Sequence, residues 1–301
     1  MNRCLAFVLG GGGARGALQV GALRALIEMG YMPDLLVGTS IGAVNAAGLA
    51  VWGMDAAGLA ALERAWEDAA ATRLVDARFA RLAMRGPLRG RNRRARRKVA
   101  EFFIEKGITP ELRFADLTGP RLALVSADLY SGQTVIYGQE PRRQSILEGM
   151  LASIALPPWL GPVEQGDRYL IDGGLLSNLP IEPALVMGAT EIIALNLRDH
   201  PRAEKTGHNS DDLLAQCGFA LHRRHIALEK TLAEAQGVPV HCLELVCPTE
   251  TTIWDFSGYQ SLIAAGYDMA QKQLPSLRDS ALARPRAPQF VPGHVAASGQ
   301  A

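Results

Sequence analysis

The sequence predicts an α/β fold in which a mainly parallel central sheet carries helices on both faces. Three observations carry this expectation. Short apolar runs alternate along the chain with longer stretches of helical periodicity, the pattern of strands joined by crossover helices. The first run ends in four glycines at 10–13 and passes directly into an alanine-rich helical stretch. Finally, 301 residues, 48% of them hydrophobic and 20% charged, are enough to bury one large core. One domain over residues 1–274 is therefore expected.

In order along the chain, residues 4–9 read as a buried strand, and 14–29 as a helix with Leu18, Ala22, Leu26 and Met29 at helical spacing. Residues 34–37 form a second strand that runs into Gly38-Thr39-Ser40-Ile41-Gly42, and helices follow at 43–52 and 56–71. Further strands are expected at 121–127, 133–137, 169–171, 191–197 and 238–246. Further helices are expected near 96–106, 144–153, 181–187, 211–236 and 257–273. From Pro275 onward four prolines and scattered Arg, Ser and Gly show no periodicity, so 275–301 reads as a disordered tail.

The formal net charge is +1, yet the run from Arg85 to Lys98, "RGPLRGRNRRARRK", holds eight Arg and Lys and no acid. The basic charge is thus local, and no nucleic-acid partner is implied. The run reads as a solvated face, with peripheral docking on an anionic membrane as the functional alternative. Cys4, Cys217, Cys242 and Cys247 form no CxxC pair and share no metal-like spacing with the six histidines. They read as reduced, buried cysteines, and no metal or cofactor is expected. The apolar run after Arg3 is too short for a signal peptide. Residues 35–54 lack charge and are long enough to span a bilayer, but their Gly, Ala, Ser, Thr and Asn content fits a buried strand, turn and helix. A cytoplasmic protein follows, peripheral to membranes at most; the oligomeric state is not legible.

Three motifs carry chemistry. The glycine loop exposes bare N–H groups at a helix start, a ready site for an anion, and Arg15 adds a fixed charge beside it. Gly11, Gly13 and Gly16 also satisfy the dinucleotide fingerprint G-x-G-x-x-G. That reading wants an acid at the end of the second strand, where this chain has Gly38-Thr39-Ser40; no Gly-Lys-Ser/Thr follows to make a P-loop. The second motif, G-x-S-x-G at 38–42, stands between a strand and a helix as a nucleophile elbow does, with Ser40 as nucleophile. Its bland alternative is an ordinary serine in a tight turn. Asp172, third, ends a buried strand and precedes Gly173 and Gly174, which let another group approach; alternatively it caps a turn. The order Ser40, Asp172, His200 imitates an α/β-hydrolase triad, but Ser40 follows only the second strand and His200 lies in a polar loop. His222 and His225 sit on an amphipathic helix and read as surface or core residues.

With these residues together the chain resembles the patatin-like phospholipases, in their compact bacterial form. "GGGGARG" at 10–16 resembles the family's oxyanion loop, "GTSIG" at 38–42 its elbow and "DGG" at 172–174 its D-G-A/G box. "ASIALPPWLGPV" at 152–163, "LLSNLPIEPALVMGATEIIALNL" at 175–197 and "WDFSGYQSLIAAGY" at 254–267 are similar to flanking patterns. The resemblance implies a three-layer α/β/α sandwich and a Ser40–Asp172 dyad without histidine. It also implies an oxyanion hole from Gly11, Gly12 and Gly13, with Arg15 nearby and the Ile41 N–H contributing. The motif glycines are Gly16, Gly38, Gly42, Gly173 and Gly174. The implied substrate is a lipid or phospholipid ester, cleaved through an acyl-serine. Two other classes stay open on the residues alone, a dinucleotide-binding module and a non-catalytic lipid-binding protein.

Overall fold

A computed structural model describes residues 3–72, 74, 88–139, 143–157, 159–200 and 210–278, with backbone alone at 88–92, 210–215 and 276–278. One sheet organises it. Its strands are β1 (Leu5–Leu9), β2 (Leu35–Thr39), β3 (Arg121–Asp128), β4 (Thr134–Tyr137), β5 (Val163–Gln165), β6 (Arg168–Asp172), β7 (Glu191–Arg198) and β8 (Val240–Val246). They lie in the order β5-β6-β3-β2-β1-β7-β8, with β4 also paired to β3. The centre, β3-β2-β1-β7-β8, is parallel throughout. The edge made by β4, β5 and β6 is antiparallel.

β1 is buried along its whole length, as a central parallel strand covered on both faces must be. Side-chain alternation divides its residues between two cores: Leu5, Phe7 and Leu9 point to one, Ala6 and Val8, with Cys4 just before the strand, to the other. The first core is roofed by α1 (Ala17–Glu28), α2 (Ile41–Trp52), α3 (Ala56–Ala71), α4 (Leu88–Glu105), α5 (Ile146–Ser153) and α8 (Tyr259–Arg278). On the other face lie α6 (Ile181–Val186) and α7 (Ser210–Ala235), which contribute Ile181, Ala184 and Ala233. This is the expected three-layer sandwich. Residues 35–54 are indeed strand, turn and helix, and among the described residues no helix is long and apolar enough to cross a membrane.

Several local expectations differ. A 3-10 turn at Gly13–Gly16 precedes α1, so the first α-helix starts at Ala17 rather than 14. The short edge strand β5 carries too few residues to show a period and went unpredicted. α4 begins at Leu88, so most of the basic run is helical; Arg85 lies outside the described residues. α8 continues past Pro275 to Arg278, although proline has no N–H for the preceding turn. Leu274, wholly buried, holds that turn against the first core. The remainder of the anticipated tail, 279–301, lies outside the described residues. Cys4 and Cys247 are buried free thiols as expected, but Cys242 is half-buried and Cys217 is exposed on α7.

Candidate active site

The sheet register brings the three motifs together. Leu9 of β1 lies opposite Gly38 of β2, so the loop after β1 and Ser40, which follows β2, share one edge. Thr39 in turn pairs with Val125 of β3. β6 arrives from the opposite direction, and its last residue, Asp172, lies opposite Ser126, one step further along β3. Two strands of opposite sense thus end at the same point. Ser40 Oγ donates a hydrogen bond to Asp172 Oδ2 at 2.6 Å.

Ser40 is the single non-glycine residue with positive φ among those described, at φ 55°, ψ −125°. That conformation costs an L-residue on the order of 1–3 kcal/mol and projects the hydroxyl out of the turn. The flanking glycines are steric necessities: a Cβ on Gly42 would collide with the Leu9 carbonyl, and one on Gly38 with the Gly42 carbonyl. Ser153, fully buried at the end of α5, braces the turn. Its Oγ accepts from the Ser40 N–H at 2.9 Å and donates to the Val125 carbonyl at 2.6 Å. The next turn of chain holds the acid, the Asp172 N–H donating to the Ala155 carbonyl at 3.0 Å.

Asp172 is 5% exposed. Its Oδ1 accepts the Gly174 N–H at 2.8 Å, and among the described residues no histidine bonds either oxygen. Burial raises its pKa to about 6, against the lowering effect of the Ser40 and Gly174 hydrogen bonds. At neutral pH it is therefore ionised yet more basic than a free carboxylate.

The glycine loop is held from beneath. Gln19, fully buried, donates to the Gly10 carbonyl at 2.8 Å; Asn45 bonds the Gly16 carbonyl and Gln19 and accepts from the Trp66 indole, each at 3.0 Å. Gly11 N–H donates to the Asn178 carbonyl at 2.9 Å, which corrects its expected place among free donors. Arg15 departs from expectation too: its Nε donates to the Gly12 carbonyl at 3.0 Å and its Nη1 pairs with Asp199, so it fixes the loop's shape. Because a trans peptide directs its C=O and N–H oppositely, capture of the Gly12 carbonyl turns the Gly13 N–H away from Arg15. The N–H groups of Gly12, Gly13 and Ile41, the last at the first turn of α2, find no acceptor among the described residues. Gly16, Gly173 and Gly174 are close-packing positions; a Cβ on Gly16 would enter Ile41, and on Gly173 the Val125 carbonyl.

Ser40 and Asp172 open onto a cavity of about 1560 Å³. On the face of the sheet roofed by α2, α3 and α4 its wall is apolar, with Phe102, Phe103, Trp66 stacked on Phe256 at 5.3 Å, and Trp159 against Trp254 at 5.5 Å. On the other face, β7's carboxyl end and α7 bring polar groups, among them His200 and His222. Burial, with His225 alongside, holds the His222 pKa below the usual imidazole range. Among the described residues no group of three His, Cys, Asp or Glu could hold a metal.

Ser153, Asn178 and the Gln19–Asn45–Trp66 network were not singled out by sequence reasoning. Ser153 and Asn178 fall within the stretches that resemble the family; Gln19 and Asn45 show only as polar residues in otherwise apolar helical faces. Ser153→Ala should leave the Ser40 N–H and the Val125 carbonyl without partners, a cost of about 1–3 kcal/mol. A lowered melting temperature together with a fall in kcat at unchanged KM is the expected result of calorimetry and ester kinetics.

Comparison with known proteins places the chain in a family. An NTE family protein of Mycobacterium tuberculosis is 35% identical over 199 residues, covering 65% of this chain and 31% of that protein. The patatin-like phospholipase domain-containing protein 7 of Mus musculus is 28% identical over 223 residues, covering 69% of this chain and 14% of its own length. The chain therefore spans less than a third of either relative. VipD from Legionella pneumophila shares the fold, with a TM-score of 0.53 at 19% identity over 91% of this chain and 67% of that one. A family model described as patatin-like phospholipase matches residues 7–185, more than half of the sequence, and by that match the chain belongs to the patatin-like phospholipase family.

Proposed function

We propose that this protein is a serine hydrolase that cleaves carboxylic esters of lipids through an acyl-Ser40 intermediate. The observation that carries the reading is the 2.6 Å hydrogen bond from a strained, elbow-held Ser40 to a buried Asp172. Ser40 Oγ forms a bond to the ester carbonyl carbon while Asp172 Oδ2 takes its proton. The oxyanion that develops is received by the free N–H groups of Gly12, Gly13 and Ile41, the last reinforced by the positive end of α2. Collapse breaks the bond to the alcohol, which leaves with the proton from Asp172. Water then attacks the acyl-serine by the same route, and the fatty acid departs. The apolar wall around Trp66, Phe102 and Trp254 suits the acyl chain.

A dinucleotide module draws no comparable support, since β2 ends without an acid and the space before the glycine loop holds Ser40. A non-catalytic lipid-binding protein would not need a carboxyl on its serine. Incubation with a long-chain acyl ester and measurement of free fatty acid tests the choice. Release that depends on Ser40 supports the hydrolase; its absence, with bound NAD or FAD in the purified protein, would favour the module.

The basic run supports peripheral contact with anionic membrane, by attraction of about 1 kcal/mol per Lys or Arg near the surface. Its side chains are not equivalent. Arg93 and Arg94 are exposed, whereas Arg96 donates to the Pro162 carbonyl and Arg97 pairs with Glu101 at 2.7 Å. α4 also lends Val99, Phe102 and Phe103 to the cavity wall, so one helix carries both the exposed arginines and part of the apolar lining. Reversing Arg93 and Arg94 to Glu is expected to weaken sedimentation with anionic vesicles and slow vesicle hydrolysis at low salt, with hydrolysis of a soluble short-chain ester retained. Equal vesicle binding would leave the run as a solubilising face.

A further inference from the structure

We infer that the polar end of the cavity is a binding site for an anionic phosphate on the alcohol side of the ester, held by Arg223 with His200 and Arg198 beside it. The inference rests on the hydrolase reading above. The cavity wraps around the carboxyl edge of the sheet, from the face roofed by α2–α4 to the face that carries α7, and Ser40 stands where the two ends meet. At about 1560 Å³ it exceeds the roughly 300–1,000 Å³ that houses a compact ligand, so it has room for groups on both sides of a scissile bond. An acyl chain in the apolar end leaves the alcohol portion to the other end. There the wall offers Asn196, Arg198, His200, His222, Arg223 and Thr252.

The charge balance decides what that end can accept. Among the described residues two acids line the cavity, Asp172 and Asp199, and both are engaged: the first by Ser40 and Gly174, the second by Arg15. Among the described residues a quaternary ammonium or amine would find no free carboxylate in the wall. Arg223, by contrast, has no acidic partner among the described residues, and Arg198 reaches only Glu244, 3.7 Å away and outside the cavity wall. His200 Nδ1 is buried without a hydrogen-bond partner. A fixed cation, a second weakly paired one and an unsatisfied imidazole nitrogen together fit a phosphate, whose oxygens accept from guanidinium in a planar fork.

The test uses two esters with one short acyl chain, 1-octanoylglycerol 3-phosphate and 1-octanoylglycerol, each below its aggregation concentration so that attraction to a charged surface plays no part. The native protein is expected to show the lower KM for the phosphate. Arg223→Ala should cut the ratio of kcat/KM for phosphate over neutral ester by roughly tenfold, and Arg223→Lys should restore part of it. Arg224→Ala, one residue along α7 and outside the cavity wall, should keep the native ratio. A native preference for the neutral ester, or a ratio that Arg223→Ala leaves unaltered, would overturn the inference. If the native protein cleaves neither ester, the hydrolase reading fails instead, and calorimetric titration with glycerol 3-phosphate then decides the anion site: heat abolished by Arg223→Ala supports it, and no native binding refutes it.

Discussion

Ser40→Ala is expected to abolish ester hydrolysis, with a loss on the order of 10⁵-fold or more in kcat, because it removes the hydroxyl proposed to form the acyl intermediate. The fold should survive. The substitution deletes one hydroxyl and keeps the backbone strain at φ 55°, so circular dichroism and melting temperature stay near native. Ser40→Gly sharpens the prediction: it is equally inactive, but glycine occupies that conformation freely and should stabilise by about 1 kcal/mol or more. An elbow serine that was merely a turn residue would show the stability change without the loss of activity.

Asp172→Asn should remove most activity, about 10²–10⁴-fold, since the amide has nearly the carboxyl's shape but takes no proton from Ser40. Its effect on stability runs the other way. With the folded pKa raised to about 6, the buried carboxyl is most favourable when protonated. Its contribution is fully present below the unfolded value near 3.9 and is lost as pH rises through about 6, on the order of 3 kcal/mol in all. The asparagine variant escapes that loss, so its melting temperature at pH 8 is expected to equal or exceed the native one. The native kcat/KM should rise with pH through about 6 as the base ionises. A profile flat from pH 5 to 8, or full activity in the variant, would remove Asp172 from the mechanism.

The chemistry-bearing motifs were legible because each needs residue types that little else explains. Gly38 and Gly42 bracket Ser40 since neighbouring carbonyls leave no space for a Cβ, and Gly173 follows Asp172 for the same reason. The division of labour within the loop was less legible. Whether Gly11 or Gly13 presents a free N–H depends on Asn178, distant in sequence, and the role of Arg15 depends on Asp199. His222 looked like a surface or core residue because helical periodicity says which side of α7 is inward but not that a cavity lies beneath it. Pro275 misled for a similar reason, since its signal is local and the packing of Leu274 is not. What a single segment dictates was readable; what two distant segments settle between them was not.

The most direct measurement is intact-protein and peptide mass spectrometry after incubation with a fluorophosphonate, whose phosphorus mimics the attacked carbonyl. The account predicts one adduct, carried by the peptide that contains Ser40, formed faster as pH rises through about 6 and lost in Asp172→Asn. An adduct on any other residue, or none on Ser40 in a folded protein, would contradict it.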